Sequence, residues 1–324
     1  MTTKVSVTIP THNRAHFVWQ AIESVLAQTF GDFELIVSDN ASTDATRQVV
    51  GQYADPRVRY LRHADNAGMA GNWRSALAAA TGEYIAFLGD DDWWSPDFLA
   101  RLTPPLERHP DVDVAFADHW IVDREGTLLA DASKQSALIH GRADLPSGLH
   151  RQFLRPALRD QALLPTASLF RRRRLAAIDG IRPSAESTPT YLIYGKLAMS
   201  GGGAYYVPER LAAYRVHVAS ATATIPLRAW REFQWACAQL IDEFGLDHPG
   251  ATLVRDSWLA AIGHEGSLLL RAGALGEARK AYVRAVRMSP SHSLGWLGLA
   301  ATLPGVYRTY RSVRDRVHPS RRSS

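Results

Sequence analysis

The sequence predicts an α/β fold in which a mostly parallel sheet is covered by helices on both faces and followed by a helical C-terminal extension. Three observations lead there. Short apolar, β-rich runs alternate with helix-period segments through the first 120 residues, the rhythm of repeated strand–helix units. Polar clusters fall where those runs end, and open α/β sheets gather ligands at the carboxyl ends of their strands. From about Pro226 onward only helical periodicity remains.

Taken in order, Lys4 to Pro10 (KVSVTIP) reads as a strand, and Phe17, Ala21, Ile22, Val25 and Leu26 then share one helical face. Phe33 to Ser38 (FELIVS) is a second strand, after which Ser42, Thr43 and Asp44 offer caps for a helix through Val49, Val50 and Tyr53. Val58 to Leu61 is the third strand. A helix over Met69 to Ala80 ends at Thr81-Gly82, and the strand Tyr84 to Leu88 runs straight into Gly89-Asp90-Asp91-Asp92. Pro96 opens the next helix, through Phe98, Leu99 and Leu102.

Asp123 to Gly126 has the composition of a hairpin turn, and a helix is expected near His150 to Leu158 within the mixed stretch from Ser133 to Pro165. Thr166 to Phe170 reads as a strand and Leu175 to Ile178 as a short helix. Two amphipathic helices follow, Trp230 to Phe244 and Leu253 to Ala272. Ala274 to Pro290 has the small residues and terminal proline of one tetratricopeptide unit, which points to a packed helical pair rather than a solenoid. The expected division is an α/β domain over 1–225 and a helical region with a basic tail over 226–324.

Composition narrows the classes. With 324 residues, 46% hydrophobic and 21% charged, the chain has the apolar content of an ordered globular protein. Cys237 is the single cysteine, which excludes an internal disulfide framework, fits a reducing compartment and reads as a buried thiol. The amino terminus lacks a basic segment leading into an apolar one. No apolar stretch reaches the roughly 18 residues of a membrane span, and the longest, Leu294 to Tyr307, contains Pro304. A cytoplasmic protein is the expectation, without a nucleic-acid partner. The net charge of +5 concentrates in Arg171 to Arg174 and in Arg308, Arg311, Arg314, Arg316, Arg321 and Arg322, which suits phosphates or an anionic lipid surface. Leu294, Trp296, Leu297, Leu299 and Leu303 ahead of that tail read either as a membrane-facing helix or as one packed on the body.

Three adjacent carboxylates, Asp90, Asp91 and Asp92, repel one another unless solvent or a cation compensates them. Magnesium or manganese suits such oxygens and completes its shell with phosphates; a capped turn before the Pro96 helix is the plainer alternative. Pro10-Thr11-His12-Asn13-Arg14 lies where the first strand meets its helix, a place for exposed amides and an arginine to hold a base or phosphate, or for a simple capped loop. Asp39-Asn40 ends the second strand in the same way. The chain lacks G-x-G-x-x-G after the first strand and lacks G-x-x-x-x-G-K-[ST], which argues against dinucleotide oxidoreductases and P-loop ATPases.

Four segments occur in order: Val5 to Arg14 (VSVTIPTHNR), Ile36 to Ala45 (IVSDNASTDA), Asn66-Ala67-Gly68 with Asn72, and Phe87 to Trp94 (FLGDDDWW). Together they closely resemble family 2 glycosyltransferases, enzymes of the Rossmann-like GT-A fold, over roughly residues 4 to 220. The resemblance implies a UDP-, GDP- or dTDP-sugar donor, a divalent cation (manganese or magnesium) on its diphosphate, inversion at the anomeric carbon, and a glycan, lipid-linked or small-molecule acceptor. It implies Thr11, Asn13 and Arg14 in the nucleotide pocket, Asp39 at the base, Asn66 and Asn72 beside it, and Asp90 near the ribose. It implies Asp91 as the metal ligand, with Asp92 as the second choice. The commonest form of the motif carries an acid where this chain has Gly89, so metal binding rests on the remaining triplet. Tyr214-Arg215-Val216-His217, followed by Ser220, resembles the family's late segment, where a histidine and an arginine return to the diphosphate, which makes His217 either a metal or phosphate contact or a structural histidine.

Inverting transfer needs a carboxylate to take the acceptor's proton, and the family supplies it from an acidic pair just before a helix. In that region Pro183 to Tyr191 holds one acid, Glu186, the candidate base; Asp160 and Asp179 are the alternatives. The rival to an enzyme is a non-catalytic sugar-nucleotide binder or scaffold that has lost its base. A nucleotidyltransferase of similar topology would want a glycine-rich basic loop after the first strand, and Pro10 to Asn13 has no glycine.

Overall fold

The computed structural model describes residues 3–182, 189–217 and 226–307. Its first half follows the predicted alternation: β1 (Val5–Thr11), α1 (Ala15–Leu26), β2 (Phe33–Asp39), α2 (Thr46–Val50), β3 (Val58–Arg62), α3 (Gly68–Ala79), β4 (Tyr84–Phe87), β5 (Trp93–Trp94) and α4 (Phe98–Arg108). Then come β6 (Val112–Val122), α5 (Ala130–Ile139), β7 (Gly148–His150), α6 (Leu154–Leu158), a 3-10 turn at Pro165–Ala167, β8 (Ser168–Arg171), α7 (Arg172–Ala177), α8 (Pro189–Met199) and β9 (Gly203–Arg215). Four helices end the described chain: α9 (Pro226–Phe244), α10 (Ala251–Arg271), α11 (Leu275–Met288) and α12 (Ser293–Ala301).

The nine strands of the described residues belong to one sheet, with the order β3-β2-β1-β4-β8-β6-β9-β5 and β7 added on β9. The β3-β2-β1-β4 half is parallel throughout, β8 runs antiparallel to both neighbours, and β6 and β9 are parallel again. Strands covered on both faces read as unbroken apolar runs. Thus Val5, Val7 and Ile9 of β1 face Val18, Ile22 and Val25 of α1, while Ile36, Ile85 and Phe87 belong to the core of the opposite face.

The expected helix from His150 to Leu158 is confined to Leu154–Leu158, because Gly148 to His150 pair antiparallel with Ala204 to Tyr206 of β9. β6 and β9, the two longest strands, show no clean alternation. β6 is buried almost end to end, and β9 carries Pro208, Glu209 and Arg210 at register shifts against β6.

Of Arg171 to Arg174, expected to suit an anionic partner, three are engaged by the fold and Arg173 is exposed. Arg171 is buried and donates to the Val112 and Leu106 carbonyls, Arg172 donates to the Gly82 carbonyl, and Arg174 pairs with Asp113 at 3.0 Å. The C-terminal helices share the body's core: Phe233, Ala236, Cys237 and Leu240 of α9 belong to the same buried cluster as Leu158, Tyr191 and Leu192. Burial pushes the Cys237 thiol up to about 12.

Candidate functional site

The ends of β1, β2 and β4 converge, since Thr11 lies opposite Asp39 in the parallel register and the Leu88 N–H donates to the Thr8 carbonyl. The loops leaving them are tied by their own amides and carboxylates. Asn13 sits at φ 55°, where asparagine is tolerated better than most residues. Its Oδ1 accepts from the Thr43 N–H at 2.8 Å, and its own N–H donates to Ser42 Oγ at 2.9 Å, which clasps the loop after β1 to the loop after β2.

Beneath that clasp the Asp39 carboxylate is fully buried. It accepts from the Ser42 N–H at 2.8 Å and from the Tyr60 hydroxyl, with Arg62 at 3.7 Å. Asn66 Oδ1 accepts from Asn40 Nδ2 and from the Gly68 N–H, shaping the entry to α3. Asn72, also buried, donates to the Ser38 carbonyl at 2.9 Å. Thr11 is buried at the end of β1. Thus Asp39, Asn66 and Asn72, predicted beside a ligand, occupy the polar scaffold that holds the rim.

The acidic turn divides into three roles. Asp90 lies 4.0 Å from the Arg14 guanidinium, across the β1 loop. Asp91 Oδ2 is 2.9 Å from His217 Nε2, joining the end of β4 to the residues just past β9. Asp92 turns inward, almost fully buried, and accepts the Arg215 N–H at 2.9 Å. Burial, with the neighbouring Asp91 carboxylate, pushes Asp90 and Asp92 above the usual carboxylate range. That is the electrostatic signature of a place that favours an incoming cation.

The turn also accounts for Gly89. A Cβ there would stand 2.6 Å from Asp92 Oδ2, so the inward-turned Asp92 fills the space a side chain would need.

Arg215, the arginine that the late segment implies at the diphosphate, is bonded to protein groups. Beyond its N–H on Asp92, its guanidinium donates to the Asp91 carbonyl, to the Asp123 and Arg124 carbonyls and to Gln20, between the rings of Phe17 and Trp93. It fastens the acidic turn from below. His12, to which the sequence assigns no role of its own, has its Nε2 3.3 Å from the side-chain amides of Asn13 and Asn66.

Among the described residues no group of three or more His, Cys, Asp or Glu is placed to hold a metal ion by itself. Asp91 and His217 are the pair that face one another, and a magnesium or manganese ion commonly takes one or two protein groups with phosphates completing its shell. Glu186 and Ser220 lie outside the described residues. Of the alternative bases, Asp160 is paired with Arg155 and Asp179 with Arg182.

Residues 6–167 match the family described as glycosyl transferase family 2. Over 137 residues the chain is 38% identical to the uncharacterized glycosyltransferase alr2836 of Nostoc sp. (strain PCC 7120), covering 41% of each protein. It spans less than two thirds of the length of the curated relatives it matches. Among solved structures, Staphylococcus aureus TarS 1-349 in complex with UDP-GlcNAc aligns over 95% of this chain and 92% of its own, with TM-score 0.65 and 18% identity. The mannosyltransferase PcManGT from Pyrobaculum calidifontis, in complex with GDP-Man and Mn2+, aligns over 96% and 84% with TM-score 0.59 and 19% identity. At those identities the two share the fold.

Proposed function

The chain belongs to glycosyl transferase family 2, and from that premise we propose that it moves a sugar from a nucleoside-diphosphate donor to an acceptor hydroxyl in glycan or glycoconjugate biosynthesis, with inversion and with a divalent cation. The observation that carries the reading is the meeting of Arg14, Asp90, Asp91 and His217 where β1, β4 and β9 end. Structural neighbours with this fold were solved with UDP-GlcNAc and with GDP-Man and Mn2+.

In this reading Asp91 and His217 hold the cation, with Asp92 keeping the turn in place through Arg215 and only secondarily available as a ligand. The bound manganese or magnesium supplies positive charge against the departing diphosphate. Arg14 adds a guanidinium on the same side, suited to phosphate oxygens. Thr11 and Asn13 form the floor and wall of the nucleotide pocket, with Asp39, Asn66 and Asn72 fixing its shape. Glu186, in the stretch just before α8, takes the proton from the acceptor hydroxyl as it attacks.

Calorimetric titration with UDP, GDP and dTDP, with and without manganese, tests the site. One nucleotide is expected to bind in a metal-dependent manner, with Asp91→Ala abolishing the metal dependence; no binding by any of the three would overturn the reading. Donor-sugar hydrolysis lost in Glu186→Gln, with nucleotide binding retained, separates an enzyme from a binder without a base.

The proposal extends to the membrane surface. Helix α12 sets Gly295 and Gly298 against α11, where added side chains would strike Val286 and Tyr282, and it leaves Leu294, Trp296 and Leu297 exposed. Residues 308–324 carry six arginines and one aspartate, equal to the whole formal excess of +5. An apolar face followed by concentrated positive charge suits an anionic bilayer. Sedimentation with vesicles containing phosphatidylglycerol, lost on removing residues 305–324, is the expected result; no sedimentation of the intact chain would sink this part. No described helix is long and apolar enough to cross a membrane.

A further inference from the structure

On the other side of β6 and β9 from Arg215 lies a cavity of about 250 Å³, walled by His119 and Tyr214 from those strands, Arg142 after α5, Gln161 before β8, and Thr190 and Tyr191 from α8. His119 is 5% exposed, and its Nδ1 has no hydrogen-bond partner among the described residues. Burial, then the Arg142 guanidinium, push its imidazole down to about 3, so the ring is neutral at physiological pH. A neutral ring nitrogen either gives or takes one hydrogen bond, and left unpaired in a buried site it carries the full cost of its lost hydration.

The guanidinium in the wall is already engaged, and the one carboxylate beside it is shared by two arginines. Arg142 donates to Asp118 at 2.8 Å, to the Ala162 carbonyl at 3.2 Å and to Ser136 at 2.8 Å, and the other Asp118 oxygen takes Arg210 at 3.0 Å. Among the described residues no carboxylate lines the wall. A cationic ligand would therefore find no countercharge among them, whereas a hydroxylated, uncharged one would find the His119 nitrogen and aromatic walls against which its C–H faces pack. The Tyr191 hydroxyl is engaged with the Leu158 carbonyl, which leaves its ring as the lining surface.

The position suits the second substrate. Tyr214 directly precedes Arg215, whose N–H holds Asp92, and Thr190 lies in the first turn of α8, just after the stretch that carries Glu186. We propose that this cavity seats an uncharged sugar ring of the acceptor, with His119 Nδ1 bonded to one of its hydroxyls. The inference rests on the glycosyltransferase reading, and it names His119 as a specificity residue that sets the acceptor class.

Saturation-transfer NMR on the full chain, with UDP and manganese present, would screen methyl glucoside, galactoside, mannoside and N-acetylglucosaminide in both anomers, together with glucuronate and glucose 6-phosphate. At least one neutral glycoside is expected to bind at millimolar strength, and His119→Leu is expected to weaken it by about tenfold or more while UDP affinity stays unchanged. If His119→Leu loses UDP binding as well, it has failed to fold, and the decision passes to Gln161→Ala at an exposed position, which should weaken the same glycoside. Binding of only the charged sugars, binding of none, or unaltered glycoside affinity in the variant that folds would overturn the inference. UDP titrated on the same samples keeps the two readings apart. Nucleotide bound without any glycoside refutes the cavity alone, and glycoside bound without nucleotide refutes the proposed reaction.

Discussion

At position 89 the absence of a side chain and the burial of Asp92 are one arrangement, since the Asp92 carboxylate occupies the volume a Cβ would take while accepting the Arg215 N–H. Gly89→Ala must push that carboxylate off its donor, leaving a buried acid and a buried N–H imperfectly paired. A loss of about 1–3 kcal/mol in urea unfolding is expected, with manganese-dependent nucleotide binding weakened as the turn relaxes; unchanged stability would mean that Asp92 has another seat. Which residues gather at the strand ends was legible from motif order, because Arg14, Asp90, Asp91 and His217 do meet there. Their division of labour was not. Nothing in the string Asp90-Asp91-Asp92 says which carboxylate turns inward, because that depends on a backbone donor more than a hundred residues away. Asn13, Asp39 and Asn72 look like ligand contacts by residue type, and they also bond to neighbouring strands and loops, a pairing set by tertiary geometry alone.

Among the elements, Glu34 joins β2 to β1 and to the end of α3. Its carboxylate accepts from Ser6, from the Thr81 N–H and hydroxyl, and from Arg59, and it is nearly buried. Burial by itself would raise this acid, but the hydrogen bonds outweigh it and hold it at about 2, below the ordinary 4.5. A depressed acid contributes stability that is complete above its unfolded value and disappears as pH falls through the folded one. Glu34→Gln is therefore expected to lose about 2 kcal/mol at pH 7 and almost nothing near pH 2, read from denaturant midpoints across that range; a pH-independent difference would contradict it. Element types were easiest to read where one face is wet, as in α1 and α9. The β6 strand hid because burial on both faces erases alternation, and β9 hid because Pro208 to Arg210 interrupt it at a bulge.

For the molecule as a whole, the sequence reads as helix alone from about Pro226, and the described residues beyond it hold only helices, but the packing makes these helices part of the body. Leu240 of α9 packs so closely on α8 that a Cβ at Gly195 would lie 2.6 Å from it, and the buried Glu265 of α10 takes Arg231 and Gln234 of α9 and Arg284 of α11. A chain ended at residue 225 would bare Tyr191, Leu192 and Leu158 to water, so it is expected to elute as aggregate in size-exclusion chromatography; a monodisperse fragment would show that α9 is dispensable. Farther along, the ring of Tyr282 lies between two glycines, Gly266 of α10 and Gly298 of α12, and a side chain on either would run into it. The consequence is hereditary. A lineage that gains a methyl group at 266 or 298 keeps its helices only if the ring at 282 shrinks in the same stretch of descent. These three positions should therefore drift as one character when relatives carrying this helical region are compared.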